Sequence, residues 1–163
     1  MNVQSYHENL LASVGSLADA EGEFTATAFA RHAAELLTEA GEFDDVVTLD
    51  FEGTGTYQRR LKVNGYDLDN ADNSVALIAT LFLGASEIQV VSSTDAKGAL
   101  RALQFFLAES LDGSFLEGRE ESSAAYQLAY DLRNRGANVS RYRLYLLTDG
   151  HLSDRLRELA SET

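Results

Sequence analysis

The spacing of apolar residues changes period four times along the chain. At the start it is helical. Leu10, Leu11, Val14 and Leu17 form one stripe, and Ser5 with Glu8 makes an S-x-x-E capping box, predicting a helix from about Tyr6 to Asp19. Ala20-Glu21-Gly22 breaks it. Phe29, Ala33, Leu36, Leu37 and Ala40 line a second helix, about Thr25 to Glu39, with Gly41 as its closing residue. The period then shortens to that of a strand. Asp45 to Phe51 reads as a short strand and Glu52 to Tyr57, with Gly53 and Gly55, as a turn. Arg60 to Tyr66 alternates, Leu61 and Val63 facing one way, Arg60 and Lys62 the other. Asp67 to Asn73 is polar and turn-rich. Val75 to Leu83 is apolar on both faces, as a central, covered strand must be. Glu87 to Val91 predicts a further short strand.

Helical spacing returns after Ser92. Leu100, Leu103, Phe106 and Leu107 share a face of a helix over Thr94 to Leu111. Ala125, Leu128, Ala129 and Leu132 do the same for Ser123 to Arg135, which Gly136 ends. RYRLYLL, Arg141 to Leu147, is a strong strand. Thr148-Asp149-Gly150 is a turn, and a short helix is expected over Ser153 to Leu159. The predicted order is α-α-β-β-β-(β)-α-α-β-α, an α/β fold in which one mixed β-sheet flanked by helices satisfies every amphipathic face. That order is the skeleton of a restriction-endonuclease-like core.

At 163 residues and 45% hydrophobic, the chain suits a single domain over 1–163 with a real core. It has no apolar run long enough to cross a bilayer, and no basic stretch opens the N-terminus as a signal peptide would require. Without cysteine there is neither a disulfide framework nor a thiolate metal site. A cytoplasmic protein is the simplest fit. The net charge of −13 opposes indiscriminate polyanion binding but leaves room for a local basic patch. Lys62 and Lys97 are the only lysines, so such a patch must be built mainly from arginine.

Four segments, EGEFTATAFARHAAELLTEAGEFDD, VNGYDLDNADNSVALIATLFLG, ESSAAYQLAYDLRNRG and RYRLYLLTDGHLSDRLREL, follow one another in an order that resembles the N-terminal part of AIPR-type proteins, the abortive-infection phage-resistance family. The resemblance covers most of the chain through patterns rather than invariant catalytic words. It implies a role in antiviral defence, a bacterial or archaeal origin, and a larger C-terminal region beyond this N-terminal fragment. The family's N-terminal region is similar to a PD-(D/E)xK nuclease-type domain, in keeping with the element order above.

Such a nuclease holds Mg²⁺ between clustered carboxylates and keeps a lysine near the attacking water. An acid closes the second strand, an acid-x-lysine pair sits on the third, and a glutamate often comes from the first core helix. Carried onto this chain, the strand acid and sole metal-ligand candidate is Asp67. The helix acid is Glu35, with Glu39 second. The third-strand pair falls at or near Ala79-Thr80-Leu81, where there is neither acid nor lysine. The expectation is therefore a vestigial site, a recognition or scaffold domain, and no cofactor, Mg²⁺ entering only if the domain cuts. A Mg²⁺-dependent nuclease is the enzyme alternative, with Asp50 or Glu52 as conceivable replacement acids. An oligomerisation module is the third reading.

Each candidate has a structural explanation as well. Asp67 can cap a turn with Asp69, Asn70, Asp72 and Asn73. Glu35 follows Arg31 by four residues and can form an exposed helical ion pair. Asp67-x-Asp69 begins like an EF-hand, but Ala71, Asp72 and Ile78 fill the fifth, sixth and twelfth places, so that match fails. Gly53-Thr54-Gly55 joins two strands and is a turn rather than a phosphate cradle. His7, His32 and His151 have no ligand spacing. Arg59, Arg60 and Lys62 form one basic group. Arg133, Arg135, Arg141 and Arg143, interleaved with Tyr142 and Tyr145, form another. Both can meet phosphates or bases, and both can equally keep sheet edges from pairing. The partners in view are nucleic acid, a phage or host protein, further copies of the chain, or the remainder of a longer protein.

Overall fold

A computed structural model of the chain describes residues 3–21, 25–41, 43–83 and 89–152. Two helices, α1 (Val3–Glu21) and α2 (Thr25–Glu39), precede three strands, β1 (Val47–Thr54), β2 (Arg60–Asp69) and β3 (Ser74–Leu81). The short β4 (Val90–Val91) leads into α3 (Ser93–Asp112) and α4 (Ala124–Arg135), and the chain returns through β5 (Arg141–Thr148) and β6 (His151–Leu152). Through β5 the order of elements is the one the hydrophobic pattern predicts; β6, two residues paired with β4, is not predicted. The helix expected over Ser153 to Leu159, and the first residues of the strand expected from Glu87, lie outside the described residues. No described helix is long and apolar enough to cross a membrane.

The main sheet has the strand order β1-β2-β3-β5. β1-β2 and β2-β3 are antiparallel hairpins, and β3-β5 is parallel. A parallel pair needs a long crossover, which α3 and α4 supply. Val75, Leu77 and Ala79 point one way from β3 and pack with Leu103 and Phe106 of α3 and Leu128 and Leu132 of α4. Ala76 and Ile78 point the other way and pack with Phe43. That two-sided burial is why β3 is apolar along its whole length. Phe106 and Phe115 are each 1% exposed or less. Burial of rings that size contributes roughly 1.5–3 kcal/mol apiece.

Local chemistry sets the helix ends. Ser92 Oγ accepts the Asp95 N–H at 3.0 Å and Ser123 Oγ accepts the Tyr126 N–H at 3.1 Å, so α3 and α4 start on serine caps. Each such cap is worth about 1 kcal/mol. Gly113 ends α3 at φ +87°, and an added Cβ there would strike the Arg133 guanidinium. The first helix differs from expectation. It begins at Val3, so Ser5 and Glu8 lie inside it instead of capping it. Nothing at Val3 or Gln4 opposes helix, and Gln4 Nε2 donates to Glu8 Oε1 at 3.3 Å along the helix surface.

β1 and β2 also run further than predicted. β1 continues through Gly53 to Thr54, and β2 through Asp67 to Asp69, because each of these residues has a cross-strand partner. The turn between β2 and β3 is tied by its own acids. Asp69 Oδ1 accepts the Ala71 N–H at 2.8 Å and Asp72 Oδ1 accepts the Ser74 N–H at 2.9 Å.

Candidate functional site

The sheet has two ends of different chemistry. At one end lie the β2-β3 turn and Asp67. Asp67 is 6% exposed, and its Oδ2 accepts the Asp44 N–H at 3.0 Å. It is directly opposite Ala76 on β3, and Ala76 in turn is beside Arg143 on β5. Asp67, Ala76 and Arg143 thus form a row on one face, the outer two separated by two strand spacings, about 9.6 Å. Phe43 covers Ala76 and Ile78 in this row's neighbourhood and meets Tyr145 edge-on at 5.0 Å.

Register therefore sets the third-strand positions nearest Asp67 at Ala76 and Ile78, a step before the expected Ala79-Thr80-Leu81. Both are buried and apolar. The β2-β3 ladder runs only to Gly65 and Ile78. Beyond it, the side chain of Asn64 takes over, its Oδ1 accepting the Thr80 N–H at 3.0 Å. At neither place does β3 offer an acid or a lysine. The residues around Asp67 do not fit a Mg²⁺ site. Among the described residues no group of three or more His, Asp or Glu could hold a metal ion.

The other acids at this end interact with one another. Asp44 is held above its ordinary 3.8, first by a hydrogen bond shared with Asp69 and then by the charge of Asp69, with Asp67 and Asp72 adding to it. Asp72 is lowered, chiefly because Ser74 donates to it, with Arg141 and Arg143 helping.

Glu35 lies elsewhere. It is exposed on α2 and lines a cleft of 440 Å³ with Arg31, Glu39, Asp45 and Thr48. Asp67 is not among the lining residues. The two acids carried over from the nuclease pattern thus occupy different surroundings. The basic residues are likewise divided. Arg141 and Arg143 begin β5 beside Ser74 and Ala76, at the Asp67 end. Arg59, Arg60 and Lys62 are at the start of β2, nine residues and roughly 30 Å from Asp69 at its finish. Arg60 Nε is held by Glu52 Oε1 at 2.6 Å. Burial lowers the Lys62 ammonium pKa, partly offset by Glu52. The two groups do not make one groove.

At the second end, residues Gly55 to Arg59 connect β1 to β2 over a buried carboxylate that sequence reasoning missed. Glu109 of α3 is 1% exposed. Its Oε1 accepts the Thr56 N–H at 3.0 Å, and its Oε2 lies 3.5 Å from Arg59 Nη2. An added Cβ at Gly55 would overlap the Glu109 carboxylate, which would have to shift to admit it. The loop closes on itself through Gly55 N–H to Arg59 O at 2.8 Å and Arg59 Nη2 to Thr56 Oγ1 at 3.0 Å. Neither Glu109 Oε2 nor Arg59 Nε has a hydrogen-bond partner among the described residues.

This loop is strained. Tyr57 and Gln58 stand at φ 57° and 59°, a region that favours glycine. Such residues cost about 1–3 kcal/mol each and persist where the surroundings over-determine them, commonly at functional sites. The result is that Tyr57 projects into solvent, 92% exposed. Two guanidiniums sit over aromatic rings at this end. Arg59 stacks 4.5 Å from the Phe105 centroid and 5.8 Å from that of Tyr57. Arg119 stacks 4.2 Å from Phe115 and donates from Nη2 to Thr54 O at 2.9 Å. One signal could have found Glu109. It follows Phe106 by three residues, so a charge falls on the apolar stripe of α3.

The family model of the abortive infection phage resistance protein N-terminal domain matches residues 29–163, which include both ends of the sheet. No curated protein and no solved structure matches the chain.

Proposed function

We infer that this chain, which belongs to the abortive infection phage resistance N-terminal domain family, contributes to phage defence by recognition and does not cut nucleic acid by itself. The reading takes the fold as a PD-(D/E)xK-like core that has lost its metal chemistry. Helix, three antiparallel strands, crossover helices and a parallel fourth strand support the likeness. Asp67, two residues before the end of β2, is the acid that this reading carries to the first metal-ligand position.

One observation carries the loss of chemistry: the row Asp67–Ala76–Arg143, with Ile78 next along β3 under Phe43. A single buried carboxylate beside apolar side chains holds Mg²⁺ poorly. The replacement acids are badly placed. Val47 is opposite Tyr66, and Glu52 is five residues further along β1, roughly 16 Å away. Glu52 is also engaged by Arg60. Asp50 falls in the β-bulge between Thr48 and Phe51 and is exposed. The partner of a recognition domain is then nucleic acid, a phage or host protein, or another part of a longer chain.

The test is incubation of labelled single- and double-stranded DNA and RNA with the protein and Mg²⁺ or Mn²⁺, beside an Asp67→Asn variant. The expected result is intact substrate in every lane, with both proteins folded by circular dichroism. Metal-dependent cleavage that disappears in Asp67→Asn would overturn the reading and make the domain a nuclease with an unorthodox site.

A further inference from the structure

We propose that the β1-β2 loop is a docking point for single-stranded nucleic acid, with Tyr57 as the platform on which a base stacks and Arg59 and Arg119 as flanking cationic planes. The proposal rests on the recognition reading and gives that recognition a ligand and a place.

Three planar groups surround one connection. Tyr57 offers a ring that is 92% exposed. The Arg59 guanidinium is braced against Phe105 and its side chain is 32% exposed. Arg119 is braced against Phe115, with Phe51 at 5.6 Å, and is half-buried. Single strands are bound by this kind of surface, because every base has a π face that stacks on aromatic rings or guanidinium planes while the cations meet phosphates.

The backbone is built to present Tyr57. Its left-handed conformation is maintained by Gly55, by the Thr56 N–H on Glu109, and by the ring of bonds from Arg59 back to Gly55 and Thr56. A side chain with no packing role does not require so much support. Glu109 is buried, so its charge is spent on Thr56 and Arg59 and is not presented to an approaching strand. With a net charge of −13 over the whole chain, contact is confined to this end. Few phosphates are neutralised, so the salt dependence is shallow compared with a protein that tracks a long backbone.

The experiment is a fluorescence-anisotropy titration of short, labelled, mixed-sequence single-stranded DNA and RNA with the full chain, at low salt in EDTA. Native protein is expected to bind single strands in preference to the same sequence as a duplex. Tyr57→Ala is expected to weaken binding about fivefold or more, the low end for removing one base-stacking aromatic, while Tyr57→Phe stays within about twofold. Arg119→Ala also weakens it. Tyr6→Ala, which removes another exposed tyrosine, on α1, leaves it unchanged. Absence of binding by folded native protein, or binding by Tyr57→Ala equal to native, would overturn the proposal. The same strands are afterwards incubated with protein and Mg²⁺ and run on a denaturing gel. Cleavage there counts against the recognition reading and leaves the anisotropy result to decide this one.

Discussion

Both ends of the sheet carry a buried carboxylate, and they use it in opposite ways. At the Asp67 end, one acid accepts a backbone N–H from Asp44 and is surrounded by further acids at the surface. At the Glu109 end, the acid meets a backbone N–H and a guanidinium together. The first arrangement ties down a turn. The second fixes a strained loop whose exposed residue is not needed for packing. Buried charge is therefore a poor guide to chemistry unless its neighbours are known: the acid that matches a nuclease pattern is the less unusual of the two.

Removing the Glu109 carboxylate should break this contrast most severely. Glu109→Ala leaves the Thr56 N–H and Arg59 without their partner, and the expected loss is about 3 kcal/mol, the low end for breaking a buried pair, because Arg59 keeps access to water. A lower urea midpoint with an unchanged m value would report it. Glu109→Gln, which still accepts from Thr56, should lose less.

Gly55→Ala comes next. Its methyl group would press on the Glu109 carboxylate, and overpacking of this kind costs about 1–3 kcal/mol. Because the clash requires both groups, Gly55→Ala combined with Glu109→Ala should be less destabilised than the two single losses added together. Strict additivity would show that the alanine is refused for another reason.

The smallest effect belongs to the other end. Asp44 holds its proton more tightly folded than unfolded, so its contribution to stability is greatest in acid and is lost as the pH rises from 3.8 through the raised folded value. Asp72 runs the other way: its contribution is present above 3.8 and lost as pH falls through its lowered value. Asp44→Asn should therefore melt higher than native protein at neutral pH, and the gap should close toward about pH 3. A gap that is constant with pH would show that Asp44 is not repelled by its neighbours.

Most of the fold could be read from the chain because its periods are clean. Leu61 and Val63 alternate with Arg60 and Lys62, and β3 is apolar on both sides because it has helices on both sides. What escaped was set by pairing rather than by period. Whether Asp67 is opposite Ala76 or a residue near Ala79 depends on the turn, and a polar turn can be crossed in more than one register. The separation of Arg59 from Arg143 follows from strand direction, β2 running against β3 and β5 running with it, which no local pattern encodes. Tyr57 escaped for a different reason. Its left-handed backbone depends on Glu109, fifty-two residues later in the chain, and nothing between Gly55 and Arg59 announces it.

The parallel pairing of β3 with β5 has a consequence for how the chain is made. β3 is the most apolar strand and is finished early, but the strand that covers its open side follows two helices later. During synthesis, Ser74 to Leu81 must wait with one row of backbone groups unpaired until Arg141 to Thr148 has emerged. An open apolar edge of that kind recruits other chains. The acidity that opposes polyanions elsewhere on this molecule then has a second use, keeping nascent copies apart until β5 pairs with β3.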